Sequence, residues 1–351
     1  MTSKTYEWQA VRSLPQELPV AQLRTVHLSK LLDGDAAESR NLLNACKTDG
    51  FFYLDIQNID DNLLQVVDAM FQFDRELYDL PDEEKMAYDV DKLSELKLNG
   101  YKPVGRNFGG LAGQKDGFET YAIPKDGIMD LNGQGSFVRP PVVDKYMNTL
   151  KSFVRFVNTA TTTIMETISV SLELPEGVGL LDYHRPNVPS PDIIRLLKYH
   201  AQDIRERGAL HTPHTDLGSL TFLFTRQPGL QILAPNSNEW TWVEPREDCA
   251  IVNLGDMMAL LTNDYLRSCL HRVAPLPGQA MPNRYSFAYL VRAENRTPMT
   301  GLNSPLIPVK EQEEVLTSDD WIKKKFGVLR LDSRKKGQDW VLTGQDKVLP
   351  V

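Results

Sequence analysis

Apolar positions change their period along this chain, and the change divides it. In the stretch from Asp35 to Gly50, Asp35 and Glu38 have capping-box spacing, Leu42, Leu43 and Cys46 form an apolar stripe, and Gly50 is placed to stop the turn. A helix is expected there. The run "FFYLDI" (51–56) is continuously apolar and reads as a buried strand. Leu63, Leu64, Val67, Met70, Phe71 and Leu77 then recur at helical spacing and end near Pro81. From Leu98 to Gly127 the periodicity fades and glycines and aromatics accumulate, which predicts a long ordered loop with short strands, of the kind that walls a site. A long amphipathic helix is expected over Val142–Leu172, with Tyr146, Leu150, Phe153, Val157, Ile164 and Ile168 on or near one stripe.

Beyond Pro191 the text is strand-like. "IIRLLKY", "SLTFLF", "LQIL", "WTWVEP", "CAIVNL" and "RYSFAYLVR" are separated by turn residues. Many short strands with brief connections predict an antiparallel sandwich or barrel, so the expected class is mainly β with flanking helices, α+β. Thr317 and Asp320 repeat the capping-box spacing before "WIKKKFG", which adds a short helix. A length of 351 residues allows one large domain or two. The helical front and the β-rich back can share one core, and a single compact unit over 1–351 is expected.

Charge narrows the partners. Lys and Arg total 39 against 47 Asp and Glu, a formal charge of −8, so the field repels polyanions and nucleic acid is not an expected partner. The basic clusters at 323–325 and 334–336 read as solvated faces. The N-terminal stretch lacks the apolar run of a secretory signal, and no segment approaches the roughly 20 apolar residues that span a bilayer. The expected location is the cytoplasm, with no membrane partner. Cys46, Cys249 and Cys269 are odd in number and lack CxxC spacing, so buried thiols are expected rather than disulfides or a thiolate zinc site.

The candidate chemistry lies in "LHTPHTDLGSLTFLF" (210–224). Residues two apart on a strand share a face, so His214 and Asp216 can form a two-ligand arm. His271 offers a third donor. Two imidazoles and one carboxylate make the facial set that leaves positions of a ferrous ion open. Zinc is the rival metal, but no HExxH helix is present to supply its usual frame. Arg284 and Ser286 also share a strand face, and a guanidinium fork beside a hydroxyl suits the distal carboxylate of a small dicarboxylic acid. By the same parity His211 should face away from His214, and His200 should point outward. His27 and His184 have no partners at useful spacing. Asp256 and Asn253 are expected to support a turn.

The motifs "HTD" at 214–216, "NLGDMMALLTNDYLRSCLHRV" at 253–273 and "RYS" at 284–286 resemble the Fe(II)/2-oxoglutarate-dependent dioxygenases of the isopenicillin N synthase-like class. "LLNACKTDGFFYLD" and "LPDEEKMAY" are similar to that class's N-terminal region, so the resemblance covers roughly residues 15–330. It implies a double-stranded β-helix, or jelly-roll, catalytic core over 190–300. Around it would lie a mixed helical region (15–130), a supporting helix (140–175) and a C-terminal extension (301–351). It also implies that His214, Asp216 and His271 bind iron, and that Arg284, Ser286 and Tyr199 hold 2-oxoglutarate. Where many plant members read "NYYP" this chain reads "LKYH" (197–200), placing Leu197 in the position of an asparagine near the metal.

The implied cofactors are Fe(II), 2-oxoglutarate as co-substrate, and O2. The implied reaction oxidises a C–H bond of a small secondary metabolite, by hydroxylation, desaturation or ring formation, with succinate and CO2 as co-products. Strand parity adds Arg195, Leu197, Leu290 and Arg292 as residues that face the substrate, and the Gly-rich loop adds Phe108, with Tyr101 and Phe118, as apolar lining. Arg195 and Arg292 would favour a substrate bearing a carboxylate, a phenolate or several carbonyls; the alternative is that they pair with Asp192 or Glu294. Two other functions fit the same scaffold. One is an Fe(II) oxidase that ignores 2-oxoglutarate, the other a non-catalytic small-molecule receptor.

Overall fold

Phe51–Asp55 lies between two cores at once. Phe52 and Leu54 point into one cluster with the helices, while Phe51 and Tyr53 point into another with Leu230 and Ile232. A strand buried on both faces reads as an unbroken apolar run, as this one does. The computed structural model describes residues 11–107, 115–201, 211–235, 237, 239–278, 282–312 and 314–329.

In chain order the strands are β1 (Thr25–His27), β2 (Phe51–Asp55), β3 (Gly100–Lys102), β4 (Phe118–Pro124), β5 (Ile193–Tyr199) and β6 (His211–His214). They continue with β7 (Leu220–Thr225), β8 (Leu230–Leu233), β9 (Trp240–Trp242), β10 (Cys249–Leu254), β11 (His271–Val273) and β12 (Arg284–Val291). Eight of them form one sheet in the order β1-β2-β10-β7-β12-β5-β4-β3, and four form a second in the order β6-β11-β8-β9. Apart from the parallel pair β1/β2, the ladders are antiparallel. This is the jelly-roll expected from the resemblance.

The large sheet carries its helices on one face. On β12, Phe287, Tyr289 and Val291 join the helical core, and Arg284, Ser286, Ala288 and Leu290 turn the other way, toward the small sheet. The long helix Met147–Ser171 buries Leu150, Phe153, Val157, Ile164 and Ile168 against this outer face. Phe153 meets Phe224 and Phe287 edge-on, with ring centroids 5.5 and 5.3 Å apart. The helix begins one residue after Tyr146, which breaks it from a short helix at Pro141–Lys145, so the expected single helix is two.

Helix Ala36–Thr48 starts where the sequence places it, with Asp35 accepting from the Ala37 and Glu38 amides at 2.7 and 2.9 Å. Only half of the capping box forms. The Glu38 carboxylate instead accepts from the His27 amide at 3.1 Å and from Asn41 at 2.9 Å. Gly50 has φ +65°, and a Cβ there would sit 2.4 Å from the Arg267 carbonyl oxygen, so both backbone sign and space require glycine.

The expected loop over Leu98–Gly127 contains β4, a seven-residue strand laddered along its whole length to β5. The strand escapes a pattern reading because its outward residue Glu119 is buried. The Glu119 carboxylate is ringed by Lys85 at 2.8 Å, Tyr101 at 2.6 Å, Lys198 at 3.3 Å and His200 at 2.9 Å. Burial alone would raise its pKa, but the hydrogen bonds from His200, Lys85 and Tyr101 hold it at about 2. A carboxyl depressed in the folded state stabilises the fold above its ordinary value of 4.5, and that contribution is lost as pH falls toward about 2. In denaturant titrations, wild type should therefore be more stable than Glu119→Gln at neutral pH, and the gap should close between pH 4.5 and about 2. A gap independent of pH would mean that the charge contributes nothing.

Candidate active site

Strands β6 and β11 pair with His214 opposite His271, which sets the two imidazoles side by side with ring centroids 4.3 Å apart. The ladder ends at His214, so Asp216 stands on the loop beyond β6 and not on the strand. Loop geometry brings it back. Its carbonyl oxygen accepts from the Asp256 amide at 2.7 Å, and Gly255 packs so closely that a Cβ there would lie 2.7 Å from that oxygen and 2.3 Å from the Gly218 oxygen. The Asp216 Oδ1 then sits 3.7 Å from Nε2 of both His214 and His271. One donor atom from each of the three residues lies within 4.8 Å of the others. Donors bonded at roughly 2.1 Å to one ion lie about 3–4 Å apart, and Asp216 stands within that range of both imidazoles.

Each candidate ligand is oriented from behind. The His271 Nδ1 lies 3.2 Å from the Cys269 carbonyl oxygen, which fixes Nδ1 as the protonated nitrogen and frees Nε2 for a metal. The Asp216 Oδ2 accepts from the Thr221 hydroxyl at 2.6 Å and from Asn253 Nδ2 at 2.9 Å, so Oδ1 is the oxygen left for bonding. Burial pushes this carboxyl up, yet the two imidazoles and these two donors bring it down to about 2. Asn253 is thus more than a turn support. Its signal was an inward polar side chain in the apolar run "CAIVNL", on the face shared with Ile251.

Two cavities meet at the triad. One, of about 80 Å³, is bounded by His214, Asp216 and His271 together with Tyr199, Arg284 and Ser286. The other, of about 110 Å³, lies between Phe118, Thr120, Arg195, Leu197, His211 and Leu290. Arg195, Leu197, His211 and Leu290 border both. A larger cavity of about 360 Å³, lined by Leu14, Pro15, Gln227 and Pro282, lies against Arg284 and holds none of the triad.

The Arg284 guanidinium is 1% exposed. It donates from Nη1 to the Ser286 hydroxyl at 3.1 Å and from Nε to the Gln227 carbonyl at 3.3 Å, while Nη2 is buried with no partner among the described residues. Burial lowers its pKa. A buried cation with a spare donor is costly unless an anion completes it. Tyr199 pairs with Arg284 across β5 and β12, and burial raises its phenol to about 12, which keeps the hydroxyl a donor. Donors of this kind fit a carboxylate, and the His, Asp and His set fits a ferrous ion.

Several expectations need correction. His211 does not face away from His214. A bulge places Val273 opposite His211 and His271 opposite His214, so three steps along β6 match two along β11 and the parity is broken. The His211 ring consequently stacks on His214 at 4.0 Å and lies tilted against Phe118 at 4.5 Å. Burial, followed by the nearby His214 and His271, pushes its pKa well down. Arg292 lies past the end of β12, where the period of two no longer applies. It is fully buried away from both cavities, its amide donating to Asp192 at 2.7 Å and its guanidinium to the Pro191 carbonyl. Glu294 is bound by Arg185 instead, at 2.6 Å.

Asp256 opens the helix Asp256–Leu261 and is buried, and Lys325 of the expected solvated cluster is buried against it. Tyr101 turns into the helical core. His27 pairs with Asp55 across β1 and β2 at 2.8 Å, and His184 is buried between Ser219 and the Leu180 carbonyl at 2.6 and 2.7 Å. Spacing along the chain reveals neither contact. His200 points outward to Glu119 as expected. The three cysteines are buried thiols. Phe108 and the cluster at 334–336 lie outside the described residues.

Comparison with known proteins agrees with this geometry. Residues 191–293 match the family model of the 2OG-Fe(II) oxygenase superfamily, and residues 18–134 match that of the N-terminal region of non-haem dioxygenases in morphine synthesis. The chain is 30% identical to the 2-oxoglutarate-dependent dioxygenase frbH of Dothideomycetidae sp. (strain 11243), covering 95% of this chain and 98% of that protein. It is 31% identical to the 2-oxoglutarate-dependent dioxygenase gloE of Glarea lozoyensis, covering 92% of each. In fold it is similar to a full-length Neurospora crassa protein crystallised in complex with alpha-KG, with a TM-score of 0.72, 24% identity, and 89% of this chain and 97% of that chain covered. JOX2 in complex with 2OG, Fe and JA is also similar, with a TM-score of 0.68, 21% identity and coverage of 94% and 89%.

Proposed function

The chain belongs to the 2OG-Fe(II) oxygenase superfamily, and from that premise we propose that it oxidises a C–H bond of a small secondary metabolite. The observation that carries this reading is the shared cavity. A convergent His214, Asp216 and His271 set stands across it from a buried guanidinium whose Nη2 has no partner among the described residues. Fe(II) with 2-oxoglutarate and O2, when bound, supplies the oxidation of an unactivated C–H bond as 2-oxoglutarate is converted to succinate and CO2.

The protein's own residues bind, orient and exclude water. His214, Asp216 and His271 would hold the iron, with Asn253 and Thr221 keeping one carboxylate oxygen of Asp216 turned toward it. Arg284, Ser286 and Tyr199 would grip the distal carboxylate of 2-oxoglutarate. Leu197 and Leu290 supply apolar wall beside the triad, where they would keep water from the reacting carbon. Arg195 and His211 border both cavities, so a substrate in the cavity bounded by Phe118 and Thr120 meets a cation and an imidazole next to the triad. That placement supports a substrate with a carboxylate, phenolate or carbonyl near the carbon oxidised. Secondary metabolism is supported by the N-terminal family model, whose description names morphine synthesis. Cytoplasmic location belongs to the same reading; among the described residues no helix is long and apolar enough to cross a membrane.

The test is a panel of small aromatic and aliphatic acids and their neutral amides, given to enzyme loaded with Fe(II) under anaerobic conditions and then exposed to O2 and 2-oxoglutarate. We expect an acid to raise succinate release and to gain oxygen or lose hydrogen by mass. Oxidation of a compound without succinate would assign the chain to the oxidases that ignore 2-oxoglutarate. A compound that binds beside the iron without being oxidised would point to the receptor function.

A further inference from the structure

The Asp256 carboxylate accepts from three separate stretches of chain. The Thr215 hydroxyl, lying between the ligands His214 and Asp216, donates to Oδ2 at 3.0 Å. The Ser268 hydroxyl, three residues before His271, donates to Oδ1 at 2.8 Å. Lys325 Nζ, on the C-terminal helix Ser318–Leu329, reaches Oδ2 at 2.5 Å. The Asp256 amide meanwhile holds the Asp216 carbonyl. One carboxyl group therefore links both arms that carry the triad, and Lys325 supplies its countercharge. Asp256 is 6% exposed and Lys325 4%, so water does little to replace either.

The C-terminal helix is fixed for this contact. The Ser318 hydroxyl donates to the Ala293 carbonyl at 2.9 Å, and Trp321 Nε1 donates to the Leu217 carbonyl at 3.2 Å, one residue past Asp216. The Lys325 ammonium also stands 4.9 Å over the Trp321 ring. The next residue, Phe326, lines the cavity of about 110 Å³ with Lys325.

We infer that Lys325 is a positioning residue for the metal centre, acting through Asp256 to hold the His214–Asp216 arm and the His271 arm at a fixed separation. This rests on the metal-centre reading above. With the ammonium removed, the Asp256 carboxylate loses its countercharge and the donor that holds Oδ2 in place, so its side chain can turn or draw in water. Either change weakens its grip on Thr215 or Ser268, and the ligands lose their spacing. Partners one step behind metal ligands typically carry about 10- to 100-fold in metal affinity.

The experiment is anaerobic Fe(II) titration of the full chain, followed by the absorption band that 2-oxoglutarate gives on the iron-loaded protein. Lys325→Met keeps the side chain's length without its charge, Lys325→Arg restores charge, and Lys323→Met serves as a control at an exposed lysine of the same helix. Fe(II) should bind Lys325→Met several-fold more weakly, at or below the low end of the range for a group that touches a ligand directly, with a shifted band; Lys325→Arg should recover most of the affinity, and Lys323→Met should match wild type. If Lys325→Met does not fold, Ser268→Ala cuts one of the two threads and should still weaken Fe(II) binding several-fold. Equal affinity and an unshifted band in Lys325→Met, or the same loss in Lys323→Met, overturns the inference and leaves the metal centre standing. Failure of wild type to bind Fe(II) would instead remove the metal-centre reading.

Discussion

Asp216→Asn should leave a folded protein that no longer retains iron and releases no succinate above background. Asparagine keeps the shape and can still accept from Thr221, so the loop has no reason to collapse. What goes is the only carboxylate of the triad, and two neutral imidazoles alone make a weak site for a hard ferrous ion. The expected fall in iron affinity exceeds the roughly 10- to 100-fold that follows from disturbing an outer partner. Asn253→Ala, which removes only the orienting amide, should fall within that smaller range. Iron content after anaerobic loading and desalting is the measurement. If Asp216→Asn retained stoichiometric iron, the carboxylate would not be a ligand.

Arg284→Met should act on the other half of the cavity, and in two opposite directions. Two charge-assisted hydrogen bonds at about 1.5–2 kcal/mol each correspond to a rise of roughly 10²- to 10³-fold in the 2-oxoglutarate concentration needed for half-maximal turnover. Iron affinity without 2-oxoglutarate should be unchanged. Thermal stability of the apoprotein should hold or increase, because the substitution removes a buried guanidinium with a nitrogen unpartnered among the described residues. A purely structural arginine would give the reverse: loss of stability and an unaltered 2-oxoglutarate requirement.

The reach of sequence pattern into this fold follows the regularity of its ladders. Along β5 and β12 the period of two runs unbroken, so Arg195, Leu197 and Tyr199, and likewise Arg284, Ser286 and Leu290, share the face that parity assigns them. Parity fails where the ladder does. The bulge between β6 and β11 turns His211 onto the face of His214, and Arg292 lies one residue past the last rung of β12. Nothing in the local text marks either event. The other kind of failure concerns polar residues far apart in sequence. Lys325 sits in a lysine triplet that reads as solvated, and its partner Asp256 lies 69 residues away. Buried ion pairs between distant segments leave no periodic trace, since each half alone resembles surface.

The triad was legible for a different reason. Metal ligation needs particular residue types, and the order of His, Asp, His and Arg-x-Ser survives whatever the intervening loops do. The elements behind the ligands were not legible, because an asparagine or threonine that orients a carboxylate is also an ordinary turn residue. Thr221 and Asn253 acquire their role only when β7 and β10 pair and bring Thr221 opposite Asn253 beside Asp216.

The most direct measurement is anaerobic spectrophotometric titration of the purified chain with Fe(II) and then with 2-oxoglutarate. A visible charge-transfer band that saturates at one iron and one 2-oxoglutarate per chain is the expected result, with the band absent in Asp216→Asn and displaced to much higher 2-oxoglutarate in Arg284→Met. A wild-type protein that binds neither, or a band that survives loss of the Asp216 carboxylate, would contradict the account.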